Sequence, residues 1–365
     1  MNILWFLFLA LTPLYLFPSG GFQIAHIPLI LIGVLCIFRR DRQIFSPIPI
    51  KAYLQFTLYA CLVNVCFFIL SDWCEWGFVF SSLILGFNTI TLSLAYSVCS
   101  SRKGVYYTTG AIMLIGIVQC FAYLQLGGNY GGGRYMAFFN DPNQLSSWAL
   151  FSLTIVALFY IHGFIGQKIL LLMVGISSTL LILTASKSGI ISLGILLLIV
   201  FWKSKFWVKL LCVCGCIWGL SFLAPAILEL EIYNRMSSFS FDSIDQDRHW
   251  YYLWEFPVYN ILGAGAGSYD RFDPISPLEV HSTLLTVVFC YGIPGTFLFL
   301  LFLKKCFYRT PTCHHLFFAL PILVNFLSLN MIRMTSLYVL LGVSARLLDL
   351  EMKQKHGEKT LDKSL

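Results

Sequence analysis

Apolar runs of about 15–23 residues follow one another along nearly the whole chain, separated by short polar breaks. An α-helix needs roughly 20 such residues to cross the hydrocarbon of a bilayer. Twelve spans are expected, near residues 3–17, 23–38, 52–70, 78–98, 105–124, 146–162, 169–185, 188–202, 208–224, 281–303, 316–332 and 335–348. The runs lack the period-two alternation of membrane β-barrel strands. The pattern predicts an all-α polytopic membrane protein with about 12 transmembrane helices. Residues 1–348 form a single integral membrane domain and 349–365 a tail. The first run has no basic segment before it and no clear small-residue cleavage site, so a retained anchor is expected.

Composition supports a membrane chain. Of 365 residues, 58% are hydrophobic and 11% charged, too little charge to cover a soluble globule of this size. The net charge of +7 reads as a topology signal. The basic residues fall in short loops rather than on one face, so no nucleic-acid partner is expected. Eighteen of the 24 Lys and Arg fall in one alternating set of loops and the tail, six in the other. By the positive-inside rule both termini are then cytoplasmic, and the loops at about 125–145 and 225–280 face outward. Among twelve cysteines, only Cys74 lies clearly in an outward loop. Cys212, Cys214 and Cys216 share one apolar run, where their spacing spreads them around a helix and suits packing better than a metal cluster.

The six outward basic residues are Arg134, Lys187, Arg235, Arg248, Arg271 and Arg333. They either pair with acids such as Asp242, Asp245, Asp247, Asp270 and Asp273, or bind an anionic head group, for which guanidinium forks are suited. The first outward loop combines Gly127–Gly133 with Arg134 and an Asn140-Asp141-Pro142-Asn143 turn expected to cap a helix at Ser146. It is either a flexible capped loop, or a site with Arg134 on phosphate and Asn143 on a sugar hydroxyl. In the second loop Trp250, Leu253, Trp254 and Pro257 suggest a short interfacial helix, anchored by tryptophans that could also stack on sugars. Gly263, Gly265 and Gly267 lack the strand–helix context of a dinucleotide fingerprint. They allow either a plain turn or a close approach to a head group.

His281-Ser282 opens an apolar run and is followed, nine residues later, by Gly292-Ile293-Pro294-Gly295. A histidine at a helix N-terminus is either a wet interfacial residue or a neutral base beside an anion-favouring helix end. His26, His162, His314, His315 and His356 lack such surroundings. Lys187, in a short outward turn, either snorkels or touches phosphate.

Taken together, these residues resemble the bacterial O-antigen polymerase and ligase superfamily. The resemblance rests on Arg235 and Arg248 in a large outward loop, Gly263-Ala264-Gly265, and the His-Ser-x9-Gly-x-x-Gly segment at 281–295. The Asn140–Asn143 segment looks like the family's upstream outward loop. Ala185-Ser186-Lys187-Ser188-Gly189 stands where many members have a Ser-Arg turn. The match is best over about 125–335. It implies a GT-C-like fold in the bacterial inner membrane with a periplasmic active site. The implied reaction transfers glycan from undecaprenyl pyrophosphate to an acceptor hydroxyl, with inversion and without a bound metal or cofactor. His281 would be the base. Arg235 and Arg248 would hold the pyrophosphate, and Arg134, Asn143, Arg333, Lys187, Trp250 and Gly265 would line the substrate. A polymerase uses a lipid-linked repeat unit as acceptor and works with a chain-length regulator. A ligase uses lipid A–core instead. The paired R-x10-G motifs of some polymerases are absent, yet the short outward domain and Asp-Pro-Asn loop favour a polymerase. A secondary transporter would need ionisable residues at span centres and repeated broken helices. Here the charges keep to span ends and loops.

Overall fold

A computed structural model describes residues 1–16, 23–38, 47–71, 75–202, 248–275, 277–308 and 315–355. The expected span at 208–224, Arg235, Asp242, Asp245, Asp247, His314 and His356 lie outside these residues. Among the described residues the protein is all-helical, with no strands. The helices are α1 Asn2–Leu11, α2 His26–Phe38, α3 Ile48–Leu70, α4 Trp76–Val98, α5 Arg102–Leu126, α6 Pro142–Ile161 and α7 Gln167–Leu183. They continue with α8 Lys187–Phe201, the single turns α9 Tyr252–Glu255 and α10 Tyr259–Leu262, then α11 Thr283–Phe307, α12 His315–Ser328 and α13 Thr335–Lys355.

Five of these, α3, α4, α5, α6 and α11, are long and apolar enough to cross a membrane. Helices α1, α2, α7, α8 and α12 are apolar but shorter. Helix α13 runs unbroken past the expected boundary at 348, carrying Arg346, Asp349 and Glu351 on its later turns. Asp349 accepts the Tyr96 hydroxyl, and Arg346 stacks on the same ring at 5.3 Å.

Helix α6 begins four residues earlier than expected. Asp141 is its N-cap, accepting the Asn143 amide at 2.5 Å, and Pro142 occupies the first turn. Proline loses nothing there, because its missing N–H is one the helix end leaves unpaired. Every residue from Leu145 to Phe159 is buried, so α6 is an axis of the bundle. It packs on α7, α8 and α13, while α13 also lies along α4 and α11. Gly342 lets α13 approach α4 closely: a Cβ there would stand 2.6 Å from the Leu92 carbonyl.

The short helix expected around Trp250 is the single turn α9, which ends at Phe256 because Pro257 follows, whose ring disfavours helical backbone before it. Trp254 is exposed, as an anchoring residue would be. Trp250 packs partly buried against the core, with no acceptor for its indole N–H among the described residues.

Candidate functional site

Helix α11 is broken at Gly292, whose backbone is left-handed at φ 62°. The break follows from composition. Pro294 has no N–H to give the Cys290 carbonyl, and the Gly292 turn directs the Ile293 amide away from Phe289. Both stranded carbonyls are satisfied by the glycine loop: Ala264 donates to Phe289 at 2.9 Å and Gly265 to Cys290 at 2.8 Å. Loop and break interlock so tightly that a Cβ on Gly292 would stand 2.4 Å from the Ile261 carbonyl. Gly265 sits at φ 72°, with the Phe78 ring 2.8 Å from where its Cβ would be. It serves this junction and does not line the cavity described below. Arg271 clamps the same loop, donating to the Ala264 and Ser268 carbonyls at 2.8 and 2.9 Å and lying over Phe67, Phe78 and Phe272.

The N-terminus of α11 is tied to the C-terminus of α12. Ser282 caps α11, accepting the Leu285 amide at 3.4 Å, while its hydroxyl donates to the Phe326 carbonyl at 2.9 Å. The Thr283 amide and hydroxyl both donate to Leu329 at 2.9 and 2.7 Å. Unpaired donors of one helix end thus meet unpaired carbonyls of the other. Arg248 joins this seam: its guanidinium donates to the Ser328 carbonyl, and its own carbonyl accepts the His281 amide at 2.9 Å.

His281 therefore stands just outside the helix, at a fixed position. Its Nδ1 lies 2.8 Å from the Glu279 carbonyl. A carbonyl only accepts, so Nδ1 carries the hydrogen and Nε2 is left with the lone pair. Burial, and then the Arg248 charge, push the imidazole below its ordinary value, against the opposing pull of Asp141. Burial thus acts in the same direction as the helix end that the sequence suggests, keeping the ring neutral.

Next to it, His249 is 7% exposed, and its ring centre is 6.5 Å from that of His281. The Tyr251 hydroxyl donates to Asp273 at 3.0 Å and accepts from His249 Nδ1 at 3.2 Å. Burial and the His281 charge lower His249, with Asp273 opposing.

His281 lines a cavity of about 880 Å³. Asn140, Asp141, Asn143 and Gln144 approach from the start of α6, Asp270 and Glu279 from the second loop, and Asn330 and Arg333 from the α12–α13 connection. Glu279 pairs with Arg333. Gln144 Oε1 and Asn330 Nδ2 are buried donors and acceptors without a partner among the described residues. These two, together with Asp141, Asp270 and Glu279, were not picked out as site residues by motif. Asp141 stands in the Asn140–Asn143 turn and Asp270 among the acids that could pair with the outward arginines, whereas nothing in the sequence singles out Gln144 or Asn330. A smaller cavity of about 120 Å³ continues past Gln144, Glu279, Asn330 and Arg333 to Tyr15, Gln23 and His26. Every one of these segments belongs to the loop set poor in Lys and Arg.

Of the remaining expected residues, Arg134 is 6% exposed and lies off the cavity. Its Nε donates to the Thr184 carbonyl at the end of α7, and a second nitrogen to Asn143 Oδ1 at 3.1 Å. Arg134, Arg248 and Arg271 each donate to a main-chain carbonyl, those of Thr184 and Ser328 standing at helix C-termini. Lys187 starts α8 and does not line the cavity; neither does Trp250.

No protein-family model matches the chain, and no curated protein matches it either.

Proposed function

We propose that the protein is a membrane glycosyltransferase of the polymerase type, extending a lipid-linked glycan at a membrane surface. One arrangement carries the reading: His281, with Nδ1 committed to Glu279, borders a roomy cavity at the helix ends rather than at mid-span. The lining suits sugar hydroxyls, with amides at Asn140, Asn143, Gln144 and Asn330 and carboxylates at Asp141 and Asp270. Its size is within the range of small-molecule sites, roughly 300–1,000 Å³.

In this mechanism the acceptor, a lipid-linked repeat unit, places a hydroxyl on His281 Nε2. The hydroxyl oxygen attacks the anomeric carbon of the donor glycan as its proton passes to Nε2. The anomeric C–O bond to phosphate breaks with inversion, and undecaprenyl pyrophosphate leaves with the electron pair. Arg248 beside His281, Arg235, and Arg333 on the cavity wall are the cations for that leaving charge. Arg333 acts with its Glu279 partner in place, which reduces its own share.

The rival transport reading draws on the broken α11, since broken helices supply transporters with free backbone groups for ions. Here the freed carbonyls are occupied by Ala264 and Gly265, which removes that support. The test is deletion of the gene in its own host, followed by sizing of surface and undecaprenyl-linked glycans. Single repeats on lipid A–core without longer chains are expected. Long chains held on undecaprenyl pyrophosphate, with bare core, would instead mean a ligase. Unchanged pools would end the glycan-transfer reading.

A further inference from the structure

At the other end of the bundle, two histidines face each other across a helix seam. His162 caps the C-terminus of α6 and His315 opens α12, with Nε2 of one 3.3 Å from Nε2 of the other. The Glu351 carboxylate of α13 completes a group whose ligand atoms all lie within 4.8 Å of one another. Helix α6 alone, at 20 residues, is about 30 Å long, so this cluster is remote from the His281 cavity.

The hydrogen bonds around the rings decide their tautomers. His162 Nδ1 lies 2.9 Å from the Leu158 carbonyl, so Nδ1 is the donor. His315 Nδ1 lies 3.0 Å from the Ser344 hydroxyl, whose own hydrogen goes to the Cys306 carbonyl at 2.8 Å. Ser344 can therefore only accept from His315, and Nδ1 is again the donor. Both Nε2 atoms then present lone pairs to each other at 3.3 Å, an arrangement that calls for a cation. Two nitrogens each about 2.0–2.1 Å from a tetrahedral zinc ion stand about 3.3–3.4 Å apart. Committing Nδ1 to a fixed acceptor is also how metal-bound histidines are oriented.

We propose that His162, His315 and Glu351 form a divalent-metal site, with zinc as the favoured ion. Three protein ligands leave one tetrahedral position for water. The ion joins α6, α12 and α13 at the ends opposite those that shape the cavity, and so acts as a structural staple. His315 is 1% exposed, which suits a held ion better than a passing one. The site is independent of the glycan-transfer reading.

The experiment uses the full chain in detergent, purified without a polyhistidine tag and stripped with a chelator. Added Co²⁺ is expected to give the visible bands of a tetrahedral ion at one equivalent per chain, displaced by one equivalent of Zn²⁺. Zn²⁺ should also raise the melting temperature. In the His162→Gln/Glu351→Gln double variant, both responses should weaken more than about tenfold. Helical circular dichroism matching the stripped wild type shows that this variant is folded. Glu351→Gln alone, on the less buried side of the site, gives a second reading if the double variant is not folded, and should weaken Co²⁺ binding. Absence of tetrahedral bands in the wild type would overturn the proposal, as expected for two imidazoles sharing a proton. Bands that persist at full strength in the variants would overturn it too.

Discussion

The carbonyl of Glu279 accepts the Nδ1 hydrogen of His281 at 2.8 Å, while the carboxylate of the same residue pairs with Arg333. One residue thereby sets the tautomer of the candidate base and the position of a cation on the cavity wall. His281→Ala is expected to lower glycan transfer by about 10²–10⁴-fold, the range that general bases contribute, with membrane insertion unchanged. Near-normal transfer in that variant, measured on purified lipid-linked donor, would remove the base assignment.

The pH profile of the same reaction carries a sign. A base works unprotonated, and His281 is held below its ordinary value of 6.5 by burial and by Arg248. The acidic limb of kcat/KM should therefore lie below pH 6.5. A limb at or above that pH would mean that another group titrates.

Stability should follow the same two histidines. His281 and His249 are both lowered in the fold, so below pH 6.5 the unfolded chain binds more protons than the folded one. Stability contributed by the neutral rings is complete above that pH and declines as pH falls towards the folded values. Melting temperature in detergent should drop over this window in the wild type. The slope should flatten in His249→Gln, and an unchanged slope would show that other groups govern it.

Arg134→Gln distinguishes a loop clamp from a phosphate ligand. Removing the guanidinium leaves the Thr184 carbonyl and Asn143 Oδ1 without their donors. Charged hydrogen bonds of this kind are worth about 1.5–3 kcal/mol. A lowered melting temperature with donor KM within about twofold is the expected pair of results. A large rise in KM at unchanged melting temperature would return Arg134 to the substrate.

At the α11 break, Gly292→Ala and Pro294→Ala should behave differently. Gly292, at φ 62° and ψ −168°, occupies backbone that is essentially confined to glycine and costs an alanine on the order of 1–3 kcal/mol. The alanine Cβ would also meet the Ile261 carbonyl at 2.4 Å, so Gly292→Ala should give little folded protein. Pro294→Ala adds an N–H that competes with Gly265 for the Cys290 carbonyl, and should be milder. Equal yields of both variants by size-exclusion chromatography would contradict this account of the break.

Much of the architecture was legible in the pattern of residues. Each expected span within the described residues overlaps a helix, five of them long and apolar enough to cross a membrane, because an unbroken apolar stretch in lipid must satisfy its own backbone and does so as a helix. Charge distribution sorted the loops as well: the segments lining both cavities come from the set poor in Lys and Arg, while His162, His315 and Glu351 belong with the other. Helix starts were less legible. Asp141-Pro142 moved the start of α6 ahead of Ser146, and α13 ran through the expected tail boundary, since caps and buried contacts rather than hydropathy end a helix.

From sequence alone the chain was determined to be a bundle of apolar helices, with two sets of loops and an ionisable residue, His281, at a helix entrance. Only the tertiary structure decided that α6 lies at the centre. Lipid and protein interior are equally apolar, so hydropathy does not tell a lipid-facing helix from a buried one. It decided as well that Arg134, Arg248 and Arg271 bind carbonyls, and that His162 meets His315 across 153 positions of sequence. Those partners are set by which helix ends come together. Spacing along the chain carries no record of that, because residues far apart in sequence become neighbours only when the helices pack.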